Sequence, residues 1–125
     1  MNASLEPSSK HEIAVELFEK GQFFSKLTFQ KSEIIIGRQP ENDIQIPEKA
    51  VSRQHAKIVI ENNEMRIIDL GSANGTYVDN QKITVQKVNS SSMIRIGQQI
   101  LRLTLHATVQ KNGRQVAQIV EEEEK

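Results

Sequence analysis

Apolar residues recur along this chain in short runs broken by turn-forming residues, the pattern of β-strands rather than helices. Ile13–Phe18 is one such run, and Glu19-Lys20-Gly21-Gln22 reads as the turn after it. Phe23–Gln30 follows, with Phe23, Leu27 and Phe29 as its expected anchors, then Glu33–Arg38 around Ile34-Ile35-Ile36. Asp43–Ile46 alternates and stops at Pro47, which cannot donate to a ladder. Gln54–Ile60 alternates with Ala56, Ile58 and Ile60 on one face. Glu61-Asn62-Asn63-Glu64 predicts a hairpin turn back into Met65–Leu70, because asparagine tolerates the left-handed conformation such turns need. Tyr77-Val78 and Lys82–Val85 flank a second hairpin signal at Asp79-Asn80-Gln81, and Met93–Ile96 and Gln99–Val109 complete the series.

The result is an expectation of ten or eleven strands with the turn spacing of an all-β sandwich or barrel. Residues 11–20 also fit a helix by spacing, but the β-rich context favours a strand. The tail reads two ways. Asn112-Gly113 can close a hairpin returning through Gln115–Val120, while Val116, Ile119 and Val120 form a helical stripe. The chain thus divides into a flexible segment 1–10, a domain over 11–109 and an extension over 110–125 whose acidic end is expected to be disordered.

Composition narrows the function classes. A chain of 125 residues amounts to about one domain and can bury a core without staples. There is no cysteine, so disulfides and thiolate metal sites are excluded. The N-terminus lacks the apolar centre of a signal peptide, and no run approaches the roughly 20 apolar residues of a membrane helix, so a soluble cytoplasmic protein is expected. Formal charge is zero, but Glu121–Glu124 mask a mild excess: residues 1–120 carry 15 basic against 12 acidic side chains, a net of +3. That is far from the basic footprint of a nucleic-acid binder, and aromatic residues at 4% give few stacking platforms.

Three segments at predicted strand ends carry the candidate chemistry: Gly37-Arg38, Val51-Ser52-Arg53-Gln54-His55-Ala56, and Asp69-Leu70-Gly71-Ser72-Ala73-Asn74-Gly75-Thr76-Tyr77-Val78. They are separated by lengths that two strand-and-turn passages fill, so sheet connections can gather them at one end of a sandwich. Arg38 and Arg53 supply planar forks of N–H donors suited to phosphate oxygens. Ser52 adds a hydroxyl donor, and Asn74 an amide able to grip a peptide backbone. Gly75 permits a tight turn whose N–H groups can cradle an anion. No general base stands beside a nucleophile, and no metal-ligand spacing joins Asp43 to Asp69. Taken singly, each residue has an ordinary reading: solvated arginines, a turn-capping Ser52, a structural His55, a plain Asn74-Gly75 hairpin, and an Asp69 that fixes its own loop. The joint pattern points to an anionic group carried on a chain, and a phosphorylated side chain fits best.

In order and spacing these segments, with Asn42-Asp43-Ile44 between them, resemble the signature of the forkhead-associated (FHA) domain family over about residues 11–109. The resemblance implies a sandwich of about eleven strands in two twisted sheets that binds phosphothreonine peptides across loops at one end, downstream of a Ser/Thr kinase, with no cofactor, metal or catalysis. It implies that Arg38 and Ser52 bond phosphate, that Arg53 contacts phosphate or peptide, and that Asn74 orders the peptide backbone. His55, Gly37 and Gly75 would be structural supports. Some members place threonine or serine just before the asparagine; here Ala73 offers only its backbone N–H, and the missing charge-assisted bond is worth roughly 1.5–3 kcal/mol gross. The family's preference for threonine is attributed to a pocket for its methyl, whose burial contributes on the order of 0.8 kcal/mol. Specificity around the phosphothreonine is expected from Lys49-Ala50 and Asn80-Gln81. The competing classes are a phosphate-independent protein–protein scaffold on the same fold and a nucleic-acid-binding barrel; neither a membrane nor a nucleic-acid partner is expected.

Overall fold

The computed structural model describes residues 10–111 and 114–119, and side chains over 11–107. The expected free N-terminal segment, apart from Lys10, and the acidic tail lie outside these residues. Twelve strands are described and no helix: β1 (Lys10–Glu19), β2 (Gln22–Phe29), β3 (Glu33–Gly37), β4 (Ile44–Gln45), β5 (Ala56–Glu61), β6 (Glu64–Asp69), β7 (Thr76–Val78), β8 (Gln81–Ile83), β9 (Val85–Val88), β10 (Ile94–Ile96), β11 (Gln99–Lys111) and β12 (Arg114–Ile119). One sheet has the order β9-β6-β5-β3-β4, the other β2-β1-β11-β10-β7-β8, with β12 added to the far part of β11. All pairs are antiparallel except β3 with β4. Residues 11–19 therefore lie in a strand, with Lys20 in the turn after it, and the tail takes the hairpin alternative: Lys111 pairs Arg114 and His106 pairs Ile119, so pairing crosses position 109.

Alternation drives the arrangement. In β5, Ala56, Ile58 and Ile60 are buried while Lys57 and Val59 are not, and β6 answers with Met65 and Ile67. The core is built from β-branched and leucine side chains, with Ile34, Ile36, Ile58 and Ile67 of one sheet facing Ile13, Ile94, Leu101 and Leu103 of the other. These side chains suit a pleated surface, and each contributes about 1.5–3 kcal/mol on full burial.

Two strand expectations need correction. Leu27 and Phe29 pack on the core, but Phe23 is 55% exposed. A register shift between Leu17 and Phe18 leaves Phe24 as an extra residue, since Leu17 pairs Ser25 and Phe18 pairs Phe23. Such a bulge reverses the alternation and turns Phe23 to the outer face. Lys82–Val85 is not one strand either. Residues up to Ile83 pair with β7, whereas Val85 pairs Ile68 in the other sheet. The chain changes sheet at Thr84, whose carbonyl accepts the Asp69 N–H at 2.8 Å.

Candidate functional site

The loops 38–43, 46–55 and 70–75 meet at one end of the sandwich. The first contact is backbone on backbone. Arg38 N–H donates to the Ser52 carbonyl at 2.9 Å, and His55 N–H to the Ile36 carbonyl at 2.8 Å, so residues 52–55 run against the end of β3. Gly37 is required for this approach. A Cβ there would fall on the Arg53 carbonyl and within 2.6 Å of Asn42 Nδ2. Asn42 Nδ2 donates to that same carbonyl at 2.7 Å, clamping the loop from the other side.

The third loop is fastened to the second. Ala73 N–H donates to Ser52 Oγ at 3.0 Å, and Asn74 Nδ2 donates to the Ala50 carbonyl at 2.8 Å. Beneath them lies His55, fully buried. Its Nδ1 accepts the Ser52 N–H at 3.0 Å and its Nε2 stands 2.9 Å from the Gly75 carbonyl. A backbone N–H can only donate and a carbonyl only accept, so these two bonds require the neutral imidazole protonated on Nε2. Gly75 sits at φ +91°, where an added Cβ would lie 2.9 Å from Lys82 Cε and 3.2 Å from Tyr77 Cε1.

Asp69 holds the turn, as its position suggested. Its carboxylate accepts four bonds: from Gly71 N–H, Ser72 N–H, Ser72 Oγ–H at 2.6 Å and Thr76 Oγ–H at 2.8 Å. Burial alone would raise its pKa, but the Ser72 and Thr76 bonds outweigh this and hold the carboxyl below its ordinary value. Asp43 behaves alike: burial pushes it up, while Lys31 at 2.7 Å and the Ile35 N–H at 2.9 Å bring it down. It is a strut under β3, not half of an acid pair.

The two arginines remain outward. Arg38 uses Nε on the Val51 carbonyl at 2.9 Å, which fixes the guanidinium plane and leaves its terminal nitrogens to solvent. Arg38 and Arg53 are both exposed, and neither belongs to an ion pair among the described residues. Ser52 Oγ accepts from Ala73 and so keeps its own proton to donate. The Ala73 N–H is correspondingly spent on Ser52 instead of standing free for a ligand. The loop end thus carries two exposed guanidinium groups without an ion pair among the described residues, the Ser52 hydroxyl, and the remaining donor and acceptor of the Asn74 amide. Groups of these kinds suit a tetrahedral anion carried on a polypeptide.

Arg38, Ser52, Ala73 and Asn74 are brought together as the sequence suggested, with Arg53 on the same loop as Ser52. Lys49-Ala50 belongs to this cluster through the Asn74 bond. Asn80-Gln81 does not: Asp79-Asn80 closes the far end of the β7–β8 hairpin, where Asp79 N–H bonds the Met93 carbonyl at 2.9 Å. The sequence reading gave Glu48 no role, quoted Asn42 only within the family signature, and named Ser72 only among loop residues near the pocket for the threonine methyl. Glu48 accepts the Gln98 N–H at 3.0 Å and braces the loop against the β10–β11 turn.

Comparison with known proteins agrees. The family model described as FHA domain matches residues 34–97, just over half of the chain. The chain is 39% identical over 61 residues to the glycogen accumulation regulator GarA of Mycobacterium tuberculosis, covering 49% of this chain and 38% of that protein. It is 41% identical over 61 residues to the oxoglutarate dehydrogenase inhibitor of Corynebacterium glutamicum, covering 49% and 43%. The chain thus spans about two-fifths of the length of these relatives. Among solved structures, it superposes on the FHA domain of CT664 from Chlamydia trachomatis with a TM-score of 0.67, at 26% identity over 80% of this chain and 98% of that one. Mycobacterium tuberculosis EmbR in complex with a low-affinity phosphopeptide gives a TM-score of 0.63 at 30% identity, over 72% of this chain and 24% of EmbR.

Proposed function

The chain belongs to the FHA domain family, and from that premise we propose that its loop end reads phosphothreonine on partner proteins, as a signalling module downstream of a Ser/Thr kinase. Arg38 and Ser52 take the phosphate, Arg53 the phosphate or the adjoining backbone, and Asn74 the peptide main chain. Gly37, His55 and Gly75 shape the loops without touching ligand. The observation that supports the reading is that Ser52 and Arg38 are each held by a bond that consumes one polar function and leaves a donor unspent.

The site is a binding surface and no catalyst. The Asp69 carboxylate has four protein donors on it, and the His55 imidazole has both nitrogens engaged. Neither is placed to take a proton from a ligand. Residues whose task is to hold a phosphorylated chain suit the cytoplasm, where protein kinases deliver the modification.

Calorimetric titration with a phosphothreonine peptide library and its unphosphorylated twin tests this. Binding is expected only with phosphate, and it should weaken below about pH 6 as the phosphate takes up its second proton. Equal affinity for both libraries would refute the reading.

A further inference from the structure

The outer face of the seven-stranded sheet carries a feature that the phosphate site does not use. Residues directly opposite in antiparallel strands share a face, and the registers connect one row across six of its strands: Lys82 to Tyr77, Tyr77 to Arg95, Arg95 to Ile100, Ile100 to Phe18, and Phe18 to Phe23. Arg95 lies 4.3 Å over the Tyr77 ring, and Phe18 meets Phe23 edge-on at 5.8 Å between centroids. None of the six is buried. One step deeper on the same face, the row reads Arg102, Glu16, Lys26, an alternation of charges suited to water. The apolar and aromatic content is therefore confined to the rim.

That rim borders the phosphate site. Gly75, next to Asn74, lies under the Lys82 stem and against the Tyr77 ring. The bulge at Phe24 is what turns Phe23 onto this row, and bulges recur where a strand re-aims a side chain. Among the described residues, no carboxylate pairs with Lys82 or Arg95. The row thus starts at the pocket with two unneutralised cations and ends in exposed rings, Phe23 being 55% exposed.

We propose that this row is a second docking surface, occupied by an extended stretch of the same partner chain that presents the phosphothreonine. This rests on the reading of the pocket given above. Charge complementarity calls for an acidic residue over Arg95 and Lys82, and the rings call for a large apolar side chain over Ile100, Phe18 and Phe23. From Tyr77 to Phe23 the row crosses four strand spacings, roughly 19 Å, which takes about six extended residues. Short phosphopeptides miss it.

Two phosphothreonine peptide libraries test the proposal, one with four random residues on each side and one with twelve. Selection from the long library on the whole chain should enrich aromatic or large aliphatic residues together with Asp or Glu on one side only, beyond the reach of the short library. The selected peptides should bind about tenfold tighter than short ones, the scale of one interface aromatic. Phe23→Ser and Arg95→Gln should each remove that gain and keep short-library affinity. No distant enrichment, or a gain that survives both substitutions, overturns the second surface and leaves the pocket standing. Loss of phosphate dependence in both libraries overturns the pocket and the row together. A dimer of the chain that Phe23→Ser dissolves gives the row to a second copy, and a gain seen only after Glu121–Glu124 are replaced by glutamine gives it to the chain's own acidic tail; either also overturns the proposal.

Discussion

The two ends of this sandwich are closed by different physics. At the end away from the site, the β5–β6 and β7–β8 hairpins turn through two residues each, Asn62-Asn63 at φ 54° and 61° and Asp79-Asn80 at φ 49° and 71°. These turns are local solutions, since asparagine and aspartate enter the left-handed region at small cost and the strands beyond do the rest. At the site end the loops 38–43, 46–55 and 70–75 are longer, and they are held by side chains on carbonyls and amides: His55, Asp69, Asn42, Asn74, Ser52. Their shape depends on contacts between residues distant in sequence. One end is closed by local turn chemistry, while the other is built from polar bonds whose leftover valences form the proposed binding surface.

The sharpest way to break this contrast is at its buried centre. His55→Ala leaves the Ser52 N–H and the Gly75 carbonyl without partners and opens a cavity. An unmet buried polar group costs about 1–3 kcal/mol, so with the lost volume the variant should lose about 3–5 kcal/mol. Urea unfolding measures this, and phosphopeptide affinity should fall as well because both loops lose their common anchor. A loss under about 1 kcal/mol, within the range of ordinary surface changes, would mean that the loops hold themselves.

Arg38→Ala should separate binding from stability. The side chain is exposed and contributes one bond to the fold, through Nε. Removing it should change unfolding free energy by less than about 1 kcal/mol. Two charge-assisted bonds to phosphate at about 1.5–3 kcal/mol each place the affinity loss near a hundredfold or more. A large stability loss with intact affinity would reverse the roles assigned to the two guanidinium functions.

Asp69 tests the same end by pH. A carboxyl whose folded pKa is lowered leaves the unfolded chain binding more protons at acid pH, so stability rises with pH. The contribution is fully present above the unfolded value of about 3.9 and is lost as pH falls through the lowered folded value. Asp69→Asn replaces an acceptor oxygen with a donor amid four donors, and should cost about 1–2 kcal/mol at neutral pH. The variant should also show a shallower acid limb in unfolding experiments run from pH 6 to pH 2. An unchanged acid limb would show that Asp69 carries no stabilising charge.

The same contrast explains what could be read from the sequence. Alternation in Ala56–Ile60 and the Asn62-Asn63 turn are local signals, and both stand in the structure. Arg38, Ser52 and Asn74 could be named because their segments resemble a known signature, not because any local rule gathers them. What escaped was non-local. The bulge at Phe24 arises from how β2 meets β1, so Phe23 reads as a core anchor until its register is known. The break at Thr84 is a change of sheet inside a run that looks continuous. Asn80-Gln81 was named as a variable loop beside the ligand, yet β7 carries its turn away from the loop that holds Asn74.

The smallest effect belongs to the end with the simplest closure. Asn63→Ala puts a Cβ without a local hydrogen-bonding group at φ 61°, which should cost about 1 kcal/mol in thermal or urea unfolding. Asn63→Gly should recover that loss, because glycine enters this conformation without steric penalty. Neither change should move phosphopeptide affinity by more than about twofold, since sites this far apart with no shared partner act independently. A larger shift in affinity would mean that strain at one end of the sandwich reaches the loops at the other, and the division between a passive and a working end would not hold.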